Sequence, residues 1–291
     1  MDVLLTVLGV VVVLLGVRDI YHSLLHPSGK GSISHRVMVL VWKVSKWSGH
    51  RLGSTVGPAM MVTVVVLWVA LQALGWALIY YPHVPAGFSY SPGIDPTRYN
   101  NFLEALYISL VTLGTLGFGD VVAVDPWIRM AAPLEALTGF ALLTAALTWF
   151  MQVYPPLSRR RALALELKGL ADIGYADELP ALDPVTVARV LGTLAAEIGT
   201  VRIDFTQYIE SYYFQEEDPD LSLARQLPYA LVLRDAAAAS ASPDLQAGAR
   251  QLTRALEQLA LKLQRDFVAA EGGPEPVFAA YAADHGREPR T

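Results

Sequence analysis

The chain has 291 residues, of which 53% are hydrophobic and only 17% are charged, and its mean hydropathy is +0.37. Soluble domains are about one quarter charged, so this composition predicts that part of the chain lies in lipid. The absence of cysteine excludes disulfides and thiolate metal sites. The formal net charge of −5 argues against nucleic acid as a partner.

The first apolar segment, Val3–Leu25, is long enough to cross the hydrocarbon core as a helix, which takes about 20 residues. A signal peptide has positive charge before its apolar run, whereas here Asp2 precedes the run and basic residues follow it. We therefore expect a membrane anchor with its N-terminus outside. Asp19, His22 and His26 share one helical face and are interpreted either as a metal or proton site or as ordinary boundary residues.

A basic stretch with helical periodicity follows, over Ser32–His50. It predicts an amphipathic helix on the inner leaflet, with Trp42 and Trp47 at the level of the headgroups. Such a helix is either a simple anchor or a cuff that couples lipid or cytosolic events to the next helix. The apolar residues at helical spacing are Val37, Met38, Leu40, Val41, Val44 and Trp47.

Two further apolar segments, Met60–Tyr81 and Trp127–Tyr154, are long enough to span the membrane. The helix predicted between them, Asn100–Leu113, is too short and too polar to cross. Basic residues concentrate in the loop before Met60 and again directly after Tyr154, whereas the intervening loop has no basic excess. By the positive-inside rule, we expect the two basic regions to be cytoplasmic and the loop between the two apolar segments to be outside.

The hexapeptide after the short helix is the most informative motif of the chain. If successive carbonyls are to point at one axis, the backbone must alternate between left- and right-handed torsions, which glycine adopts without a steric penalty. A threonine before the glycines can add a hydroxyl oxygen. Taken alone, the motif also fits a glycine-rich loop between two helices. It consists of Thr115, Leu116, Gly117, Phe118, Gly119 and Asp120.

Residues 60–154 resemble the outer helix, pore helix, filter and inner helix of the bacterial two-transmembrane-helix potassium channels. The run Ala105–Asp120 is similar to the pore signature of that family, with Leu116 and Phe118 replacing the Val and Tyr of its TVGYG filter. The resemblance covers about a third of the chain. It implies K⁺ ions in the filter, no organic cofactor, and a homotetramer, since one chain supplies a quarter of each carbonyl ring.

The same resemblance assigns supporting roles around the filter. Tyr107 and Asp120 are expected to brace its outer end, and Thr112 to form a hydrogen bond behind it. Val111 stands where some relatives have a glutamate, which puts their acid-assisted inactivation in doubt here. Glu135 lies in the apolar inner helix, where a carboxylate is costly, and we expect its partner on the pore helix.

The inner helix contains the expected gate. Gly139 aligns with the glycine hinge of the family, although close packing against the pore helix explains a glycine equally well. A ring of large apolar side chains at the inner mouth can close a pore by dewetting. The residues that the resemblance places along the cavity and inner mouth are Phe140, Leu143, Leu147 and Met151.

Composition changes after Pro155 and Pro156, which we expect to end the inner helix. The tail is predicted to be a helical bundle, with one helix capped by Asp183 and running to about Phe214. Further helices are predicted over 221–241, 242–270 and 277–284. An apolar stripe in the helix over 242–270 requires a packing partner. An acidic cluster is interpreted as a solvated loop or a divalent-ion site. The stripe is Leu252, Leu256, Leu259, Leu263 and Phe267, and the cluster is Glu216, Glu217, Asp218 and Asp220.

The sequence thus predicts an all-α membrane protein in four parts: an N-terminal transmembrane helix (1–27), a cytoplasmic loop (28–59), a pore domain (60–156) and a cytoplasmic helical domain (157–291). We expect a potassium-selective channel subunit in the cell membrane, with the tail inside and open to an unidentified regulator. The alternatives are a weakly selective cation channel and a poorly conducting sensor or scaffold that acts through its tail. No catalytic triad or metal-hydrolase pattern suggests an enzyme.

Overall fold

A computed structural model describes residues 2–24 and 31–290 of the chain, and most of these residues are helical. The helices follow the apolar segments and the predicted tail helices. They are α1 (Asp2–Leu24), α2 (Ser32–Trp47), α3 (Val56–Tyr80), α4 (Asn101–Leu113), α5 (Pro126–Asp172), α6 (Tyr175–Glu178), α7 (Pro184–Gln207), α8 (Leu223–Gln226), α9 (Tyr229–Ala239), α10 (Pro243–Asp266) and α11 (Pro274–Asp284).

Two short strands interrupt this helical architecture, so the expectation of an all-α protein is wrong at one place. Strand β1 (Phe88–Tyr90) pairs antiparallel with β2 (Val121–Ala123). Both strands are rich in aromatic and β-branched residues, which favour extended backbone. Their pairing closes the segment that contains α4 and the hexapeptide.

The described residues divide by their internal contacts into two compact units. The first consists of 1–37 and 61–151, and the second of 38–60 and 152–291. The helix α5 runs from the first unit into the second without interruption. The four-part division drawn from the sequence stays a prediction, although residues 38–60 group with the tail by contacts.

Four helical segments of the described residues are long and apolar enough to cross a membrane. Three of them cover the predicted spans, apart from Leu25, which lies outside the described residues, and the fourth is α7, which the sequence assigns to the tail. The apolar side of α7 is buried, and α7 makes extensive contact with α10. Packing inside the second unit therefore accounts for its apolar character. The four segments are Asp2–Leu24, Gly53–His83, Pro126–Asp172 and Pro184–Gln207.

In the first unit, Asp19 of α1 has a structural role. Its carboxylate accepts hydrogen bonds from the backbone N–H groups of Ile33 (2.8 Å) and Ser34 (3.0 Å) and from the indole of Trp68 (2.9 Å). It therefore caps the first turn of α2. Because the carboxylate already has these donors, the interpretation of Asp19 as a metal ligand loses its support, and His26 lies outside the described residues.

The predicted amphipathic helix is present as α2, but its two tryptophans differ in environment. Trp47 is 91% exposed, whereas Trp42 is 5% exposed and packs among aromatic residues of the second unit. The expectation that Trp42 lies at the headgroup level is therefore wrong. A tryptophan at this spacing can face either lipid or protein, and the aromatic residues that bury it come from the tail.

The prediction that Pro155 and Pro156 end the inner helix is also wrong, because α5 continues to Asp172. Proline removes a backbone donor and clashes with the preceding turn, but the turns after the prolines are held by other contacts. Leu157 is buried, and the guanidinium of Arg159 binds Asp204 with two hydrogen bonds, of 2.9 and 2.5 Å. These contacts, all inside the second unit, offset the loss at the prolines.

Arg160 is the most buried cation of this region, with 4% of its side chain exposed. It donates to the carbonyl oxygens of Ser211 (2.6 Å) and Phe214 (2.9 Å) and to Glu216 Oε1 (3.1 Å). Arg161 donates to the other oxygen of Glu216 at 2.9 Å. The predicted acidic cluster is therefore no uniform solvated loop, because its first carboxylate is a buried ion-pair partner. Within the described residues, no group of three or more acidic or histidine side chains is arranged for a metal.

The tail helices follow the sequence with shifted ends. Asp183 caps α7 by accepting from the backbone N–H of Thr186 at 2.9 Å, as predicted. α7 ends at Gln207, earlier than expected, and a 3₁₀ turn covers Ile209–Tyr213. The apolar stripe of α10 is buried except for Phe267, which is half-buried just beyond the helix.

We predict that Arg160→Met strongly destabilises the second unit, because it leaves Glu216 and two carbonyl groups with fewer partners. Breaking a buried ion pair costs about 3–5 kcal/mol. The control is Arg161→Met, since Arg161 shares the same carboxylate but is 40% exposed, and exposed pairs contribute about 1 kcal/mol or less. Hydrogen exchange of the amides of Ile209–Tyr213 in the full chain measures the local opening free energy. Equal effects of the two variants would contradict the prediction.

Candidate functional site: the pore loop

The loop that contains the hexapeptide follows directly from α4. The Asn100 side chain caps this helix by accepting from the backbone N–H of Phe102, at 2.9 Å, and of Leu103. At its other end, the N–H of Leu116 donates back to the carbonyl of Val111 at 2.9 Å. The C-terminal end of a helix has partial negative charge and favours a cation nearby. This end of α4 leads into the hexapeptide.

The hexapeptide backbone has a positive φ at every second residue. The angles are 54° at Thr115, 56° at Gly117 and 75° at Gly119. Glycine adopts this region freely, but a left-handed threonine costs about 1–2 kcal/mol. Thr115 and His50 are the non-glycine residues with positive φ in the described part of the chain. A strained threonine at this point indicates that the surrounding structure imposes the alternation.

The outer end of the loop is held by α4 and by the strands. The hydroxyl of Tyr107 donates to Asp120 Oδ2 at 2.5 Å. The backbone N–H of Ser91 donates to the carbonyl oxygen of Asp120 at 2.8 Å. The structure thus brings Tyr107 and Asp120 together. The hydroxyl of Thr112 instead donates to the carbonyl of Ile108, four residues earlier in α4, at 2.8 Å, and its role behind the filter stays a prediction.

Glu135 of α5 is fully buried and joins three helices. Its Oε1 accepts from the hydroxyl of Ser109 in α4 at 2.5 Å, and its Oε2 accepts from the hydroxyl of Tyr80 in α3 at 2.6 Å. The expected partner on the pore helix is therefore confirmed as Ser109. Sequence reasoning missed Tyr80, whose position at the end of the second apolar segment was the available signal.

Gly139 lies directly against the end of α4. A Cβ atom added to it would lie 1.8 Å from the carbonyl oxygen of Leu113. No side chain fits at that distance, so the close-packing explanation of this glycine has direct support, while its role as a hinge stays a prediction.

The four residues expected along the cavity share one face of α5. All four are largely exposed in the single chain, whereas Leu142, Ala146 and Trp149 on the opposite face are buried. The ring of Trp149 lies 5.3 Å from that of Trp68 in α3. Packing against α3 therefore leaves the first face open. Its residues are Phe140, Leu143, Leu147 and Met151.

Comparison with known proteins agrees with this arrangement. A family described as "Ion channel" matches residues 63–154, which include α4, the hexapeptide and the first part of α5. Protein LctB of Geobacillus stearothermophilus is 32% identical over 114 residues, which are 37% of this chain and 79% of LctB. The chain belongs to this ion channel family.

Two further relatives extend the comparison. Protein LctB of Bacillus caldotenax has the same identity and coverage, and the uncharacterized membrane protein YdjJ of Bacillus subtilis (strain 168) is 25% identical over 170 residues. That match covers 57% of this chain, and the chain spans about half of YdjJ, or 49%. No solved structure matches the chain. The apolar helices and these relatives identify the channel as a multi-pass membrane protein.

We predict that Gly139→Ala destabilises the channel, because the new methyl group must displace the end of α4. Overpacking of this kind costs about 1–3 kcal/mol. The control is Gly169→Ala in the same helix, since a Cβ there would meet nothing within 4 Å and alanine favours a helix by up to about 1 kcal/mol. The thermal unfolding midpoint of the full chain in detergent should fall in the first variant and hold or rise in the second. A rise in both would contradict the packing argument.

Proposed function

We propose that this ion channel subunit conducts potassium selectively, through a filter formed by Thr115–Gly119. The observation that supports the proposal most is the positive φ at every second residue of a loop that directly follows α4. In such a filter, backbone carbonyls replace the hydration shell of K⁺, which moves passively in single file between successive sites. Leu116 and Phe118 have exposed side chains in the single chain, and their carbonyl groups contribute to the path together with those of the glycines.

The filter needs a fixed geometry if it is to prefer one ion. The hydrogen bond between Tyr107 and Asp120 supports its outer end, and Glu135 holds α4 against α3 and α5. Both contacts lie outside the ion path and act by positioning. The C-terminal end of α4 adds a partial negative charge on the inner side of the loop.

A single chain supplies one segment of each carbonyl ring, so we propose a homotetramer around a central axis. The broad apolar face left exposed on α5 supports this assembly, because a face of this extent must be covered by lipid or by neighbouring chains. On the axial side, Phe140, Leu143, Leu147 and Met151 form four stacked apolar rings. Such rings close a pore by dewetting, and Gly139 is the proposed hinge above them.

The proposed location is the cell membrane, with the N-terminus and the filter entrance outside. The basic residues that precede Met60 and those that follow Tyr154 support a cytoplasmic location for both regions. The helical tail is then cytoplasmic, where it acts on α5 or binds a regulator. The exchanges of Leu and Phe for Val and Tyr in the filter leave a weakly selective cation channel as the other candidate.

We predict that the current through purified channel in planar bilayers reverses near the potassium equilibrium potential. The reversal potential should shift by about 59 mV for each tenfold gradient of K⁺. In opposed potassium and sodium solutions of equal concentration, a reversal near zero would favour the weakly selective alternative.

A matched pair of variants distinguishes a specific effect on the filter from a general effect of backbone strain. Gly117→Ala and Gly93→Ala both place alanine at a positive φ with open space around the new Cβ. Only Gly117 belongs to the hexapeptide, so the first variant should lose selectivity and the second should keep it.

We also predict that the solubilised channel contains four chains of 31.6 kDa each. Native mass spectrometry in a mild detergent counts the chains directly. A stable dimer as the sole species would reject the filter geometry proposed here, because two chains cannot close a fourfold carbonyl ring.

A further inference from the structure

A single carboxylate of the second unit binds helix α2. Asp284, at the end of α11, accepts hydrogen bonds from the indole of Trp42 (2.8 Å), the hydroxyl of Tyr212 (2.7 Å) and the ammonium group of Lys46 (2.5 Å). Trp42 and Lys46 are four residues apart and therefore lie on the same face of α2. Asp284 is therefore the polar anchor between α2 and α11.

Aromatic rings cover the same contact. The ring of Trp42 lies 5.0 Å from that of His285 and 5.5 Å from that of Tyr213. His285 also lies 4.9 Å from the ring of Tyr212 and 4.8 Å from that of Tyr281. Burial of a tryptophan and several tyrosines supplies most of the apolar contribution to this contact. The histidine sits at its centre.

His285 is buried, and one nitrogen of its imidazole ring lacks a hydrogen bond in the part of the chain that the structure describes. It is 6% exposed, and its Nε2 has no hydrogen-bond partner among the described residues. A proton on Nε2 would place an uncompensated charge in this site, which costs free energy. Several of the surrounding groups are cations that add repulsion. The titratable and charged groups around His285 are Lys46, His50, Arg160, Tyr212, Glu216, Tyr281, Asp284 and Arg287.

These surroundings determine how the stability of the contact depends on pH. Burial lowers the pKa of His285 well below its ordinary 6.5, and the charges of Arg160, His50, Arg287 and Lys46 lower it further. Burial also lowers the pKa of His50, against the opposing effect of Asp284. Because the closed contact binds the proton less well than an open one, its stability is full above about pH 6.5 and falls as the pH drops toward the lowered value.

We infer that this cluster is a proton-sensitive latch, which holds α2 on α11 while His285 is neutral and releases it when His285 is protonated. The latch is separate from the filter and does not depend on potassium conduction. It assigns His285 as the proton-binding group and Asp284 as the anchor. Acidification of the compartment around the tail would then free α2 from the C-terminal helix.

The chain contains no cysteine, which allows a direct test with one introduced thiol. Ser45 lies in α2, is fully buried, and its hydroxyl has no hydrogen-bond partner in the described part of the chain. Ser45→Cys therefore reports opening of the contact. Lys43→Cys, two residues earlier on the exposed side of the same helix, is the reference. The ratio of their rates with a methanethiosulfonate reagent, in the full chain, measures protection and cancels the ordinary pH dependence of thiol reactivity.

The expected change is set mainly by His285, because its pKa is lowered further than that of His50. If the open state titrates at the ordinary value and the closed state excludes the proton, protection falls about tenfold between about pH 7.5 and about pH 5.5. Protection that is the same at both pH values in the otherwise unchanged chain would overturn the latch.

Two background variants identify the group. His285→Phe keeps an aromatic ring but cannot bind a proton, so the fall in its protection should shrink to the smaller part that His50 contributes. His83→Gln, a histidine of the first unit, should leave the tenfold fall intact. A fall of the same size in His285→Phe would overturn the assignment of His285. If His285→Phe does not assemble, the pH response of the Ser45→Cys chain still decides whether the latch exists.

Discussion

The buried carboxylate of Glu135 is the contact on which the first unit depends. An acidic group inside an apolar helix is costly unless hydrogen bonds compensate it. Here Tyr80 and Ser109 supply one donor to each oxygen, so α3, α4 and α5 must meet at this point. The same arrangement brings Gly139 against the carbonyl of Leu113 and leads the chain from α4 into the hexapeptide. The hexapeptide loop therefore owes its position to a polar contact that lies outside it.

A second polar contact governs the tail in a similar way. Arg160 is buried and donates to two carbonyls and to Glu216, all in the second unit. These bonds hold the extension of α5 against the 3₁₀ turn at Ile209–Tyr213 and allow a helix to continue beyond two prolines. Because α5 is one helix from Pro126 to Asp172, the residues proposed as the gate and the arginines that bind Glu216 and Asp204 belong to the same helix.

The latch at Asp284 gives the tail a further connection, this time to α2. Inside the second unit, the tail thus contacts two separate helical segments, the end of α2 and the extension of α5. One attachment uses an ion pair between the guanidinium of Arg160 and the carboxylate of Glu216. The other includes two histidines, so it is the attachment that can respond to acid.

The sequence by itself determined the elements whose signal is local. Apolar runs of sufficient length predicted α1, α3 and the first part of α5, and the cap Asp183 predicted the start of α7. The alternation at the hexapeptide could be predicted, because glycine spacing reports backbone torsion directly.

Only the tertiary structure decided the features that depend on distant partners. Trp42 and Asp19 fit a membrane boundary by spacing, but the residues that bind them are far away in the sequence: Asp284 for the first, and Ile33, Ser34 and Trp68 for the second. Pro155 and Pro156 predict a helix end by local rules, and contacts with the tail outweigh that preference. Local propensities are worth about 1–3 kcal/mol at a residue, and buried packing and ion pairs contributed by remote segments are large enough to reverse them.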